Sequence, residues 1–340
     1  MNATHETTPE TGTGRKATMK AIVQDAYGSA DVLELRDVDK PEAGDDEVLV
    51  RVHAAGVDRG VLHLMTGQPY VMRVIGFGFR APKHPIRGRE LAGRVEAVGK
   101  DVTRFGPGDE VMGIAEGSFA EYASVREGKL APKPASLTFE QAAAVPVSAS
   151  TALQALRDHG KVQPGQKVLV VGASGGVGTF AVQLAKAFGA EVTGVASTAK
   201  LDLVRSIGAD HVVDYTRDDV ADGATRYDLI LDIGGNRSLA HLRRALTPRG
   251  TLVLVGGEDG GRWTGMARQF RLLAISPFVR QRLRMFVNRE RREDLRVLTE
   301  LIEAGKVTPV IDRTYPLRQA PEAVRYLEAG RARGKVVVTV

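Results

Sequence analysis

Residues 168–178 read VLVVGASGGVG, an apolar run that passes without a break into a cluster of glycines. The apolar half has the length and β-branched content of a strand buried on both faces. The glycine half leads into VGTFAVQLAKAFG (177–189), whose apolar residues recur at helical spacing. A strand that turns through glycines into a helix aims backbone N–H groups and the positive end of the helix dipole at one point. That point suits an anion such as a phosphate. Side chains at Gly175, Gly176 and Gly178 would block the approach of a pyrophosphate, or of helix to strand. The run departs from G-x-G-x-x-G at Ala173, so its specificity rests on the strand–turn–helix setting. Ser174, Gly175, Gly176, Val177 and Gly178 are the candidate phosphate cradle.

Downstream, strands and helices alternate: EVTGVAS (191–197), AKLDLVRSIG (199–208), HVVDY (211–215), YDLILDIG (227–234), SLAHLRRAL and GTLVLVG (250–256). Parallel strands need crossover helices, and Val/Leu/Ile strands suit a sheet covered on both faces. The pattern predicts a doubly wound α/β domain. A dinucleotide site that prefers a free ribose 2′-OH places Asp or Glu at the end of the second strand. Here that strand ends VASTAK, with Ser197, Thr198 and Lys200 in place of a carboxylate, and Tyr215 closes the third strand. A hydroxyl and an ammonium suit a 2′-phosphate, so the expected cofactor is NADP(H).

From Met19 to about Val125 the chain is different in kind. MKAIVQD, VLVRVHAAG, GRVEAVG and DEVMGI are short strands broken by Gly, Pro and Asp, which predicts a mostly antiparallel β domain. EQAAAVPVSASTALQALRDHG is helical on both sides of Pro146. The closing KVVVTV has no strand neighbour in sequence and is expected to return to the β domain. Composition is that of a globular protein, 43% hydrophobic and 26% charged, with no apolar run near the roughly 20 residues that span a bilayer. The absence of cysteine excludes disulfides, thiolate nucleophiles and Cys-bearing zinc sites, and fits a cytoplasmic location. The polar residues 1–18 are read as a disordered leader, neither signal nor transit peptide.

The net charge of +6 is uneven. Residues 262–296 hold ten Arg against Glu290, Glu293 and Asp294. Within this stretch, residues 263–287 mix Trp, Phe, Leu and Met with Arg, a composition compatible with a pocket cover, a homodimer contact or peripheral membrane contact. No aromatic–basic motif for nucleic acid is present, and no nucleic-acid partner is expected.

Taken in order, MKAIVQDAYGSADVLEL, VLVRVHAAGVD, GRELAGRVEAVG, PVSASTALQAL, VLVVGASGGVG and GKVVV resemble the medium-chain dehydrogenase/reductase superfamily over Met19 to Val340. The resemblance implies a GroES-like, β-rich catalytic domain built from both chain ends around an inserted Rossmann domain. The boundaries follow as 19–147, 148–285 and 286–340. It also implies that Thr151 lies beside a nicotinamide, that Gly256 and Gly257 line its pocket, and that Lys335 reaches the pyrophosphate.

Zinc-dependent members carry Cys and His where this chain has Asp58 and Arg89, and the third ligand position falls near Val147. Arginine stays cationic and has no free lone pair, so no metal is expected, and an Asp58–Arg89 ion pair is expected in its place. The resemblance is to the zinc-independent quinone oxidoreductase-like branch, which implies hydride transfer to a small-molecule quinone or α,β-unsaturated carbonyl. A reductase acting on a bulky specialised substrate is the alternative, and a non-catalytic NADPH-binding module a more distant one. His63 matches a relay histidine of some zinc-dependent relatives, and Asp58 a position that is often Asn in quinone reductases. These two are the candidate catalytic residues, and Tyr70 lies in the long Gly/Pro loop 68–88 beside them.

Overall fold

The computed structural model describes residues 17–222, 225–235, 237–256 and 266–340. The leader expected over residues 1–18 therefore lies, except for its last two residues, outside the described residues.

In the N-terminal part, Thr18–Val23 (β1) pairs with Glu34–Asp39 (β2). Glu47–Val57 (β3), whose sequence EVLVRVHAAGV is largely buried, forms the spine of the larger sheet. After β3, Asp58 caps Arg59–Thr66 (α1) and Gly67, at φ +60°, ends it. Glu90–Val98 (β4) and Tyr122–Arg126 (β6) pair antiparallel with β3. Glu110–Ile114 (β5) pairs with β4, and Leu130–Pro132 (β7) with β5.

Phe139–Ala143 (α2) and Pro146–Gln154 (α3) join this sheet to the second domain. Pro146 opens α3, where a missing N–H costs nothing. The alanines of α2 and α3 share one core with Ala54, Ala92 and Met112 of the first sheet and with Val168, Val170 and Phe180 of the next domain. Small side chains let the backbones approach closely, so the junction is a packed layer.

The second domain alternates strands and helices as the sequence predicts: Lys167–Val171 (β8), Gly176–Ala187 (α4), Glu191–Ala196 (β9), Leu201–Ser206 (α5) and His211–Asp214 (β10), then Tyr227–Asp232 (β11), Leu239–Ala245 (α6), Leu246–Leu254 (β12), Ala267–Ile275 (α7) and Arg282–Met285 (β13). Among the described residues these strands form one parallel sheet in the order β10-β9-β8-β11-β12-β13. The order reverses between β8 and β11, and a ligand crevice opens at the carboxyl ends of the strands at such a point. The edge strand β13 was not expected, because only Leu283 of its RLRM is buried.

Arg292–Glu303 (α8) then leads back. Ile311–Pro316 (β14), Ala320–Glu328 (α9) and Lys335–Thr339 (β15) complete the first sheet, with β15 antiparallel to β3 and parallel to β14. The strand that had no neighbour in sequence finds one between β3 and β14. Among the described residues no helix is long and apolar enough to cross a membrane.

Candidate functional site

The two domains enclose a cleft of about 480 Å³ over the carboxyl ends of β8, β9, β11 and β12. The glycine turn forms its floor. Gly172 takes φ +86°, so the tight turn is made one residue before Ala173, which is itself fully buried. α4 starts at Gly176 with Gly175 as its cap, so among the described residues no side chain caps the N–H groups of its first turn.

The expected glycines have separate physical reasons. A Cβ on Gly178 would sit 2.1 Å from the Gly172 carbonyl oxygen and 2.8 Å from the Ala173 backbone. One on Gly176 would sit 3.0 Å from Lys335 Cδ, and one on Gly175 only 3.6 Å from its nearest neighbour. Gly178 thus serves helix–strand packing and does not line the cleft. Ser174, Gly175, Gly176 and Val177 do line it. Gly178→Ala is expected to destabilise the fold by about 1–3 kcal/mol, because backbone cannot yield as a side chain does. Gly175→Ala should leave the melting temperature unchanged but reduce the stabilisation given by added dinucleotide. Equal melting of the two variants would contradict this assignment.

At the far end of β9, Ser197, Lys200 and Tyr215 line the cleft as expected. The Lys200 ammonium, however, donates at 2.9 Å to each of the carbonyls of Gly330 and Ala332, and burial lowers its pKa. It acts as a tie between the domains. Thr198 turns away to Asp214 and Thr216. The cation that sequence reading missed is Arg237, just after β11, which lines the same end and donates from Nη2 to the Tyr215 carbonyl at 3.1 Å. Its backbone carbonyl accepts from buried Arg268, which also pairs with Asp232 at 2.6 Å. The signal was the run GGNR at the end of a strand, legible only once β11 lies beside β8 and β9 in space.

At the other end, Thr151 and Gly256 line the cleft. Thr151 Oγ1 donates back to the Val147 carbonyl at 2.7 Å. A Cβ on Gly256 would lie 2.3 Å from the Ile233 carbonyl oxygen, so glycine is required there. Gly257 lies outside the described residues. Lys335 lines the cleft but is only 2% exposed, and its ammonium binds Glu90 and, at 3.1 Å, Ser148 Oγ. The reason is Glu90, which is wholly buried and needs a counter-charge. Burial pushes its carboxyl pKa up, while Lys335 pulls against that.

Asp58 and His63 both line the cleft beside Arg89. Asp58 Oδ1 accepts from the Val61 N–H at 3.0 Å as the cap of α1, and its buried Oδ2 has no hydrogen-bond partner among the described residues. His63 Nδ1 lies 2.9 Å from the Gln68 carbonyl oxygen. The expected Asp58–Arg89 pair is not a direct contact. Arg89 instead pairs with Glu290 at 2.7 Å, while Asp58 acts on it electrostatically. Asp58 Oδ1 is taken up in capping α1, while Arg89 is held by Glu290. Residues 266–287 do not line the cleft. Phe270, Leu273, Phe278 and Val287 of that stretch are exposed, and residues 263–265 lie outside the described residues.

The arrangement fits a dinucleotide by its own chemistry. The floor is a glycine cradle with open N–H groups, one end carries Arg237, and Asp58 is the only carboxylate among the described lining residues.

Comparison with known proteins agrees. The alcohol dehydrogenase GroES-like domain matches residues 44–135, and a zinc-binding dehydrogenase domain matches residues 207–338. NAD(P)H oxidoreductase RTN4IP1, mitochondrial, of Mus musculus is 35% identical over 97% of this chain and 91% of its own length. The chloroplastic NADPH-dependent alkenal/one oxidoreductase of Arabidopsis thaliana is 34% identical over 94% of this chain and 79% of its own. The quinone oxidoreductase from Coxiella burnetii superposes with a TM-score of 0.85 at 29% identity, over 95% of this chain and 100% of that one. With its two-domain architecture and glycine cradle, this chain is an oxidoreductase that belongs to the medium-chain dehydrogenase/reductase superfamily, in its quinone oxidoreductase-like branch.

Proposed function

We propose that the protein is an NADPH-dependent, zinc-independent reductase of quinones or α,β-unsaturated carbonyl compounds. The observation that carries this reading is the charge layout of one continuous cleft. Arg237 stands at the adenosine end, where no carboxylate is among the described lining residues, and Arg89 stands at the acceptor end. A carboxylate at the adenosine end would repel a 2′-phosphate, whereas a guanidinium favours it. Arg89 supplies a cation where a zinc ligand would need a lone pair, which supports chemistry without that metal.

When bound, the reduced nicotinamide supplies hydride. The chain's own residues do the rest. Ser174, Gly175, Gly176 and Val177 would hold the phosphates through backbone groups. Thr151 and Gly256 shape the nicotinamide end, with Gly256 allowing the strand ends to close up. Val57 and Val147 contribute apolar wall at the acceptor end, and the junction layer of α2 and α3 keeps that wall fixed. An acceptor that is already electrophilic needs little more than position and a hydrogen-bond donor for its oxygen.

The test is loss of NADPH absorbance with a panel of quinones and enones, run beside NADH. Turnover with at least one acceptor and a clear preference for NADPH is expected. No turnover with any acceptor would overturn the enzymatic reading, and equal use of NADH would overturn the cofactor assignment.

A further inference from the structure

Arg89 enters the cleft from the residue before β4. Its Nη2 donates to Glu290 Oε1 at 2.7 Å, and Lys129 Nζ holds Glu290 Oε2 at 2.8 Å. Glu290 lies beyond β13 and Lys129 just before β7, so the guanidinium is anchored from two directions. Burial disfavours its charge, but Asp58 and Glu290 outweigh that and raise its pKa above the ordinary value. The opposite edge faces Gly60, where a Cβ would lie 3.1 Å from Arg89 Nη1 and 2.9 Å from Asp58 Oδ1. Glycine at position 60 leaves that edge open.

Nη1 and Nε of Arg89 have no hydrogen-bond partner among the described residues. Two hydroxyls on the same wall are held by the protein. The Thr151 hydroxyl donates to the Val147 carbonyl, and the Ser148 hydroxyl accepts from Lys335. Asp58, as a carboxylate, only accepts. A fixed cation with unused donors, in a partly desolvated cleft, is what a developing negative charge requires.

We propose that Arg89 is a catalytic residue, the donor that receives the acceptor's carbonyl oxygen on its Nη1 edge and stabilises the charge that forms there. The proposal rests on the reductase reading above. For an enone, the hydride electron pair forms the new C–H bond at the β-carbon. The C=C pair then shifts so that the enolate charge rests on oxygen, and water supplies one proton to the α-carbon. The two electrons are those lost by the reduced nicotinamide. Arg89 donates a hydrogen bond throughout and releases no proton. Asp58 and Glu290 keep it charged, and Glu290 is a positioning residue.

The probe is 4-nitrophenol, whose anion resembles the developing oxyanion and absorbs visibly. Titrated with the full-length protein saturated with NADP⁺, the bound phenol should ionise about one to two pH units below the free phenol. Arg89→Gln should abolish that shift and lower kcat roughly 100- to 1000-fold with a working acceptor. Glu290→Gln, which keeps the cation but loosens it, should reduce both effects only in part. Near-native melting of Arg89→Gln is expected, because Glu290 keeps Lys129.

Failure of the wild type to bind the phenolate in preference to the phenol would overturn the proposal. So would an unchanged shift in Arg89→Gln. Absence of turnover with every acceptor would instead defeat the reductase reading, while the titration still reports on Arg89.

Discussion

Lys335→Met is expected to destabilise the protein by about 3–5 kcal/mol, the usual cost of leaving one partner of a buried ion pair alone. Glu90 is fully buried, and Lys335 is 2% exposed. Glu90 Oε1 accepts from the Val147 N–H at 2.8 Å and the Ser148 N–H at 3.3 Å, at the start of α3. The pair therefore joins three pieces of chain, β4, α3 and β15. With Lys335 gone, Glu90 must either stay charged without a counter-ion or take up a proton against its two N–H donors. The double variant Glu90→Gln with Lys335→Met removes both charges, keeps an acceptor for the N–H groups, and should recover most of the loss. Guanidinium unfolding of the four proteins in the cycle measures the coupling. A double variant as unstable as Lys335→Met would show that the stem of Lys335 against Gly176, and not its charge, matters.

Arg237→Ala is expected to weaken binding of 2′,5′-ADP by roughly 10- to 100-fold, while 5′-AMP binding stays within about twofold. The estimate follows from about 1.5–3 kcal/mol for a hydrogen bond to a charged group. Lys200→Met should have the smaller effect, because its ammonium is already held by the Gly330 and Ala332 carbonyls. Isothermal titration of both nucleotides with both variants decides it. Equal loss for 2′,5′-ADP and 5′-AMP would mean that Arg237 only supports the loop. The reverse ranking of Lys200 and Arg237 would restore the lysine as the phosphate ligand.

The fold was legible where local pattern and global placement agree. The β8 strand and its glycine turn could be read because burial on both faces, helix spacing and backbone approach all act within 22 residues, 168–189. The edge strand β13 could not, since only Leu283 of RLRM carries a buried-strand signal. At the site, Ser174, Gly175, Gly176 and Val177 line the cleft as read, and so do Lys200 and Lys335, but the contacts that hold the two lysines were not legible. Lys200 and Lys335 look alike in sequence as basic residues near a phosphate. What holds their ammonium groups is the carbonyl pair at Gly330 and Ala332 and the buried Glu90, each far from its lysine in sequence. Asp58 and Arg89 were rightly placed as neighbours. The direct ion pair expected between them does not form, because Glu290, some 200 residues away, takes the guanidinium and the helix cap takes the carboxylate.

The meeting of the glycine turn with the C-terminal strand also bears on the order in which the protein is made. The Gly334 N–H donates to the Ser174 carbonyl at 2.8 Å, and Val336 pairs with Val57 on β3. At ribosomal speeds of about 5–20 residues per second, β15 emerges on the order of tens of seconds after β3. During that interval the Rossmann sheet can close on its own short-range contacts, while the first sheet keeps an unpaired edge and Glu90 lacks its counter-ion. The cleft, lined by Gly334 and Lys335, is therefore complete only once residues 334–339 have taken their place.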